Sequence, residues 1–187
     1  SQLQKKDEQQ VQLTFSKGEL TSIDNQEGLP QDIIEKLNKL ASKYAIGRDI
    51  HVGDTILGIK GRVGFEAAAA NIIIKSHHLL EKHTLTKWQL QHKEYLSNWY
   101  GTHLHEGLFL DPVMRDLESF LENSQTQVSG HVYVSLKPYH FTIDGIASKN
   151  DLMDTDFGTY GEENKCWTAD EAKGFIKIYA NQSKIVK

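Results

Sequence analysis

Apolar and polar positions alternate early in the chain and then give way to a helical rhythm. Val11, Leu13 and Phe15 are separated by polar residues, "SKG" turns the chain, and Leu20 and Ile23 follow, which predicts a β-hairpin. Leu29-Pro30 opens a helix, because proline suits a first helical turn. Behind it Ile33, Ile34, Leu37, Leu40, Ala41 and Tyr44 recur at helical spacing, while Asp32, Glu35, Lys36, Lys39 and Lys43 face away. Gly47 is expected to stop that helix. Residues 49–64 read as extended, with β-branched positions alternating with glycines.

The block "FEAAAANIIIKSHHLLEKHTL" predicts a buried helix by its length and alanine content. A second helical stretch, roughly 86–100, carries Trp88, Leu96 and Trp99. Asp111-Pro112 is a cap and first-turn pair, and Val113, Leu117, Phe120 and Leu121 form the stripe behind it. "QVSGHVYVSL" and "YHFTIDGIA" predict a second hairpin around Lys137-Pro138. Residues 149–166 are polar and irregular, and "TADEAKGFIKIYANQSKIV" reads as a capped helix or a final strand. No repeat or low-complexity tract is present. The composite is an α+β fold with hairpins at both ends and several helices between. Residues 1–10 read as a linker or disordered leader, and 11–187 as one domain.

Composition narrows the class. A chain of 187 residues with 39% hydrophobic and 25% charged residues has the balance of a globular domain able to bury a core. Its net charge of −4 argues against nucleic acid, which calls for a basic patch or stripe. No apolar run approaches the ~18 residues of a membrane helix. The single cysteine, Cys166, excludes an intrachain disulfide and fits a reducing cytoplasm. The opening "SQLQKKDEQQ" lacks an initiator methionine and reads as the start of a piece cut from a longer protein.

Candidate chemistry is sparse. Nine histidines invite a metal reading, with His103, His105 and Glu106 the best local set and His77-His78 the next. Adjacent histidines on a helix point about 100° apart, and His103 and His105 share a face only on an extended segment. A zinc site wants three or four ligands, so ordinary histidines are the stronger reading and no metal site is expected. Cys166 lacks a local nucleophile signature. Asp151, Asp154 and Asp156 lack the central glycine and terminal glutamate of a calcium loop. Neither G-x-x-x-x-G-K-[ST] nor G-x-G-x-x-G occurs.

One junction remains, "ILGIKGRVGFEAAAANIIIKSHH" at 56–78. Lys60 and Arg62 are two apart, so on a strand they share a face, with Glu66 just beyond. Cations beside a carboxylate on glycine-lightened backbone suit the two charged ends of an amino acid. A sheet edge bearing charges to keep neighbours off is the plainer alternative.

Four stretches carry a resemblance: "VQLTFSKGELTSID", "IIEKLNKLASKYAIGRDIHVGDTILGIKGRVGFE", "HEGLFLDPVMRDLESFLENSQTQVSG" and "DEAKGFIKIY". Their order and spacing (G-R-x-x-x-V before G-x-K-x-R, E-G-x-x-x-D-P before a helix, S-Q-x-x-V-x-G before a hairpin, A-x-G-F-I near the end) resembles the C-terminal half of argininosuccinate synthase, from residue 11 onward. The resemblance implies an ATP-dependent ligase whose N-terminal domain, marked by a serine-glycine-glycine loop, activates citrulline by adenylating its ureido oxygen. Aspartate's amine then displaces AMP, giving argininosuccinate in arginine biosynthesis. It also implies a synthetase and oligomerisation domain for this chain, a homotetramer, and ATP and magnesium held by the N-terminal nucleotide-binding domain. On that reading the present chain alone is inactive and none of its residues is an acid, base or nucleophile.

The chain departs from the family pattern at one place. Family members usually read V-E-N-R where this chain has Val52-Gly53-Asp54-Thr55, and S-R-G-x-Y-E where it has Gly61-Arg62-Val63-Gly64-Phe65-Glu66. The family's glutamate and tyrosine there contact citrulline. Gly53 deletes an anionic side chain and Phe65 a phenolic hydroxyl, a loss that should not be neutral in a site built on hydrogen bonds. Asp54 is expected to supply a displaced carboxylate, or else the substrate's α-amino group is acylated and no longer positive. Gly53, Asp54, Arg62, Phe65 and Glu66 are therefore the expected substrate-binding positions, with Arg62 and Glu66 orienting. A non-catalytic assembly module that keeps the synthetase fold is the alternative.

Overall fold

The structure is a computed structural model that describes residues 2–155, 158–159, 163–164 and 166–185. It comprises two units, Ser1–Leu152 and Met153–Lys187. The first is built on a five-stranded antiparallel sheet in the order β3-β2-β1-β6-β7. These strands are β1 (Gln9–Ser16), β2 (Glu19–Ile23), β3 (Gln26–Glu27), β6 (Gly130–Lys137) and β7 (His140–Ala147). The period-2 pattern decides which side is buried: Val11, Leu13 and Phe15 of β1 lie beside Val132, Val134 and Leu136 of β6, on one inner face. Helices α1 (Pro30–Ser42) and α2 (Ala68–Thr84) cover that face with Ile33, Leu37 and Ala41, and with Ala69, Ile72 and Leu80.

The two expected hairpins are thus neighbours in a single sheet, joined by β1 and β6 across more than a hundred residues of sequence. The second hairpin does not close the chain, because α5 (Ala169–Tyr179) and α6 (Asn181–Ile185) follow it. Of the two readings left open for that segment, helix holds: Thr168 accepts from the backbone of Glu171, whose side chain reaches back to the cap. The aspartate at 156 lies outside the described residues. The leader is more ordered than its composition suggests. β1 begins at Gln9, and the backbone amides of Gln4 and Lys5 both donate to the Lys43 carbonyl, at 2.7 and 3.0 Å.

Two helix limits also differ. α1 ends at Ser42, five residues before Gly47, and Ala45 between them takes a left-handed conformation with φ 56°. The helix expected near 86–100 is α3 (Lys87–His105), capped by Thr86 and Gln89, and it packs against α4 (Pro112–Ser124). Asp111 caps α4 as its position implies, accepting from Val113 N at 3.0 Å. Since α3 runs through His105, His103 and His105 point about 200° apart and share no face.

One core position is suboptimal. Ser76, on the inner face of α2, is fully buried and its hydroxyl has no hydrogen-bond partner. A buried, unsatisfied hydroxyl costs about 1–3 kcal/mol, and alanine is the better helix former. Ser76→Ala is expected to stabilise the protein by about 1 kcal/mol, read as a rise in the urea midpoint without a change in slope.

Candidate functional site

The extended run at 49–64 is a hairpin of its own: β4 (Arg48–Asp54) and β5 (Lys60–Glu66) pair as a two-stranded ribbon apart from the main sheet. Its tip is closed by Thr55, whose backbone N–H and hydroxyl both donate to the Ile59 carbonyl, at 3.0 and 2.8 Å. Its base is set by Gly47, whose carbonyl accepts from Ala67 N at 2.9 Å. A Cβ at Gly47 would lie 2.5 Å from Ala68 N, so only glycine lets the ribbon leave α2 at this angle.

Cross-strand register decides what each face carries. Arg48 lies opposite Glu66, Ile50 opposite Gly64, Val52 opposite Arg62, and Asp54 opposite Lys60. Residues directly opposite project to the same side, so these eight share one face. The other face holds Asp49 opposite Phe65, His51 opposite Val63, and Gly53 opposite Gly61. The five expected substrate-binding residues therefore lie on one ribbon but not on one face. Asp54, Arg62 and Glu66 are together, and Gly53 and Phe65 share the reverse side. On the charged face Arg48 pairs with Glu66 at 2.8 Å and Lys60 with Asp54 at 2.5 Å, leaving Arg62 between two neutralised pairs. Asp54 projects from the face opposite that of Gly53, and its carboxylate pairs with Lys60.

Little of the ribbon is covered. Val52 is 60% exposed and Val63 59%, on opposite faces, and the tip residues Ile56, Leu57 and Ile59 are exposed as well. An isolated two-stranded ribbon is at best marginally stable in water, so apolar exposure on both sides calls for a covering surface.

A second polar cluster went unread in the sequence. Glu81 of α2 is fully buried, accepting from Lys93 Nζ at 3.0 Å and from Gln125 Nε2 at 2.9 Å. With its amide nitrogen committed to the carboxylate, Gln125 presents its oxygen to His77 Nε2 at 2.9 Å, which fixes the proton on that nitrogen. His78 also faces Glu81, at 3.5 Å, and reaches Glu94 at 3.4 Å. The available signal was an i, i+4 His-Glu pair amid apolar positions, a pattern that looks metal-like until Lys93 supplies the counter-charge. Among the described residues no group of three or more His, Cys, Asp or Glu could hold a metal ion. Asp151 pairs instead with His83, at 3.1 Å, and Cys166 is exposed. No helix among the described residues is long and apolar enough to cross a membrane.

Burial holds His77 below its ordinary 6.5, with Lys93 and His78 adding to the effect and Glu81 and the Gln125 bond opposing it. A depressed histidine stays neutral in the fold while the unfolded chain takes up a proton. Stability is therefore expected to be constant above about pH 6.5 and to fall as pH drops toward the folded value. His77→Gln should flatten that limb, as seen in melting temperatures between pH 8 and 5.

The arginosuccinate synthase C-terminal domain model matches residues 1–186. Among curated relatives, argininosuccinate synthase of Xylella fastidiosa is 33% identical over 94% of this chain and 43% of its own length. The Dictyoglomus turgidum protein of that name is 34% identical over 98% of this chain and 46% of its own length. That of Oceanobacillus iheyensis is 35% identical, over 96% and 43%. The chain spans less than half the length of these relatives.

Proposed function

Because this chain belongs to the argininosuccinate synthase family through its C-terminal domain, we propose that it forms one wall of the substrate site of an ATP-dependent carbon-nitrogen ligase. The substrates are a citrulline-type ureido acid, free or Nα-acylated, and aspartate, and the product is argininosuccinate or its acylated form, in arginine biosynthesis. The observation that carries the reading is the uncovered β4–β5 ribbon, which holds the departures from the family pattern and exposes both faces. A nucleotide-binding domain of the same protein is the covering surface that fits, and ATP and magnesium are assigned to it.

The chemistry explains the division of labour. A ureido carbon is a poor electrophile without a leaving group, and attack of its oxygen on the α-phosphorus of ATP, with loss of pyrophosphate, makes citrullyl-AMP. Aspartate's amine then adds to that carbon, and AMP leaves with the bonding pair. This chain orients the ureido acid and offers charge through Arg62, while the phosphates are held elsewhere. The apolar face of α5, with Phe175, Ile176, Ile178 and Tyr179 all exposed, suits a homo-oligomer and is what favours the alternative of a pure assembly module.

Citrulline-dependent exchange of pyrophosphate into ATP tests the reading. The full-length protein should catalyse it with citrulline or its Nα-acetyl derivative, and residues 1–187 alone should not. A full-length protein that forms oligomers but runs neither reaction is the assembly module instead.

A further inference from the structure

We propose that His51 is a specificity-determining residue of the ribbon's Gly53–Phe65 face, and that it selects a citrulline whose α-nitrogen is acylated over one with a free ammonium. This inference rests on the reading above and adds to it that the α-nitrogen end of the ureido acid lies against the Gly53–Phe65 face, the one opposite Arg62. Its starting point is a volume. A Cβ placed on Gly53 would lie 2.6 Å from His51 Nε2, 3.3 Å from Cδ2 and 3.5 Å from Cε1. The imidazole lies across position 53 and fills the space a side chain there would take.

The ring is also uncommitted. The His51 imidazole makes no hydrogen bond or ion pair with the described residues, unlike those of His77, His78 and His83. On the tip side of the ring the backbone is open, since Gly53 stands opposite Gly61; Val63 lies across from His51 and the Thr55 methyl borders Gly61. A flat group can therefore approach the ring edge and the ribbon backbone together.

Of the nearest carboxylates one lies on the other face and one, Asp49, shares this face opposite Phe65, two residues from His51 toward the base. Asp54 projects from the opposite face to Lys60, and Asp49 Oδ1 accepts from Ile50 N at 2.7 Å, nearer the ribbon base. An ammonium meeting this face would find no free carboxylate beside Gly53, whereas an imidazole N–H donates well to an amide carbonyl. Phe65 agrees with this: on the same face, it offers an apolar edge where the family pattern has a hydroxyl.

The test is steady-state kinetics of the full-length protein with citrulline and Nα-acetylcitrulline, each with ATP and aspartate, in wild type, His51→Ala, His51→Gln and Gly53→Ala. Wild type should prefer the acetylated substrate in kcat/KM. His51→Ala should raise KM for it about tenfold, the weight of one hydrogen bond, with kcat within about twofold and the KM of aspartate unchanged. His51→Gln, which keeps an N–H donor, should restore most of the affinity. Gly53→Ala, which evicts the ring, should resemble His51→Ala, and the double variant should be no worse. Preference for free citrulline, or an unaltered KM in His51→Ala, overturns the assignment of His51 while leaving the ligase standing. Absence of product from either substrate overturns the ligase reading and this inference with it. Since His51 is exposed, the variants should melt with wild type, so a kinetic change reports the site and not unfolding.

Discussion

Replacing Lys93 by methionine is expected to cost about 3 kcal/mol of stability and to lower the melting temperature by roughly 10 °C. The reason is an orphaned charge. Glu81 is fully buried and Lys93 is 18% exposed, so the lysine is what makes a carboxylate tolerable inside the α2–α3 packing. Gln125 would remain, but one amide cannot offset the desolvation of an anion. We take the lower end of the range for breaking buried pairs because Lys93 keeps some contact with water. The decisive comparison is Lys93→Met together with Glu81→Leu, which removes both charges. That double variant should be more stable than Lys93→Met alone. A Lys93→Met protein that melts with wild type would show that the pair contributes nothing.

Gly47→Ala is the second large effect, expected at about 2–4 kcal/mol. Two costs add. The residue sits at φ 92°, a conformation that costs an L-residue about 1–2 kcal/mol. The new methyl would also press on backbone, with Ala68 N, Ala68 Cα and Ala67 C at 2.5, 2.6 and 2.7 Å, and backbone cannot swing aside as a lysine tip can. Because Gly47 ties the ribbon to the start of α2, amide exchange over 48–66 should accelerate more than over β1 and β6. Gly64→Ala is the control: a methyl there meets nothing within 4 Å and the residue is not left-handed, so it should change stability by less than about 0.5 kcal/mol. Equal losses in the two variants would refute the geometric account.

Part of the site was legible before any fold was known. The two-residue spacing of Lys60 and Arg62 puts them on one strand face, and there they lie. The same parity rule places Gly53 and Asp54 on opposite faces, since neighbours on a strand always diverge. The five candidate residues accordingly divide between the two faces of the ribbon. The match of Gly53 with Gly61 was not legible, because it depends on how residues 55–59 close the tip. Nor was the lean of His51 over Gly53, a side-chain rotamer that alternation does not constrain. The Glu81 cluster was hidden for another reason: its counter-charge and amide come from residues 12 and 44 positions away.

The chain by itself determined its elements, through alternation at Val11, Leu13 and Phe15, helical spacing at Ile33, Leu37 and Ala41, and the caps at Asp111 and Thr168. It also determined the family, through motifs whose order survives substitution at the ribbon. Periodicity and capping are local, so a few residues suffice to set them. Only the tertiary structure decided that β1 pairs with β6, that the candidate residues divide between two faces, and that a glutamate can be buried beside α3. Those outcomes depend on groups distant in sequence meeting in space, and no local pattern encodes which of them will meet.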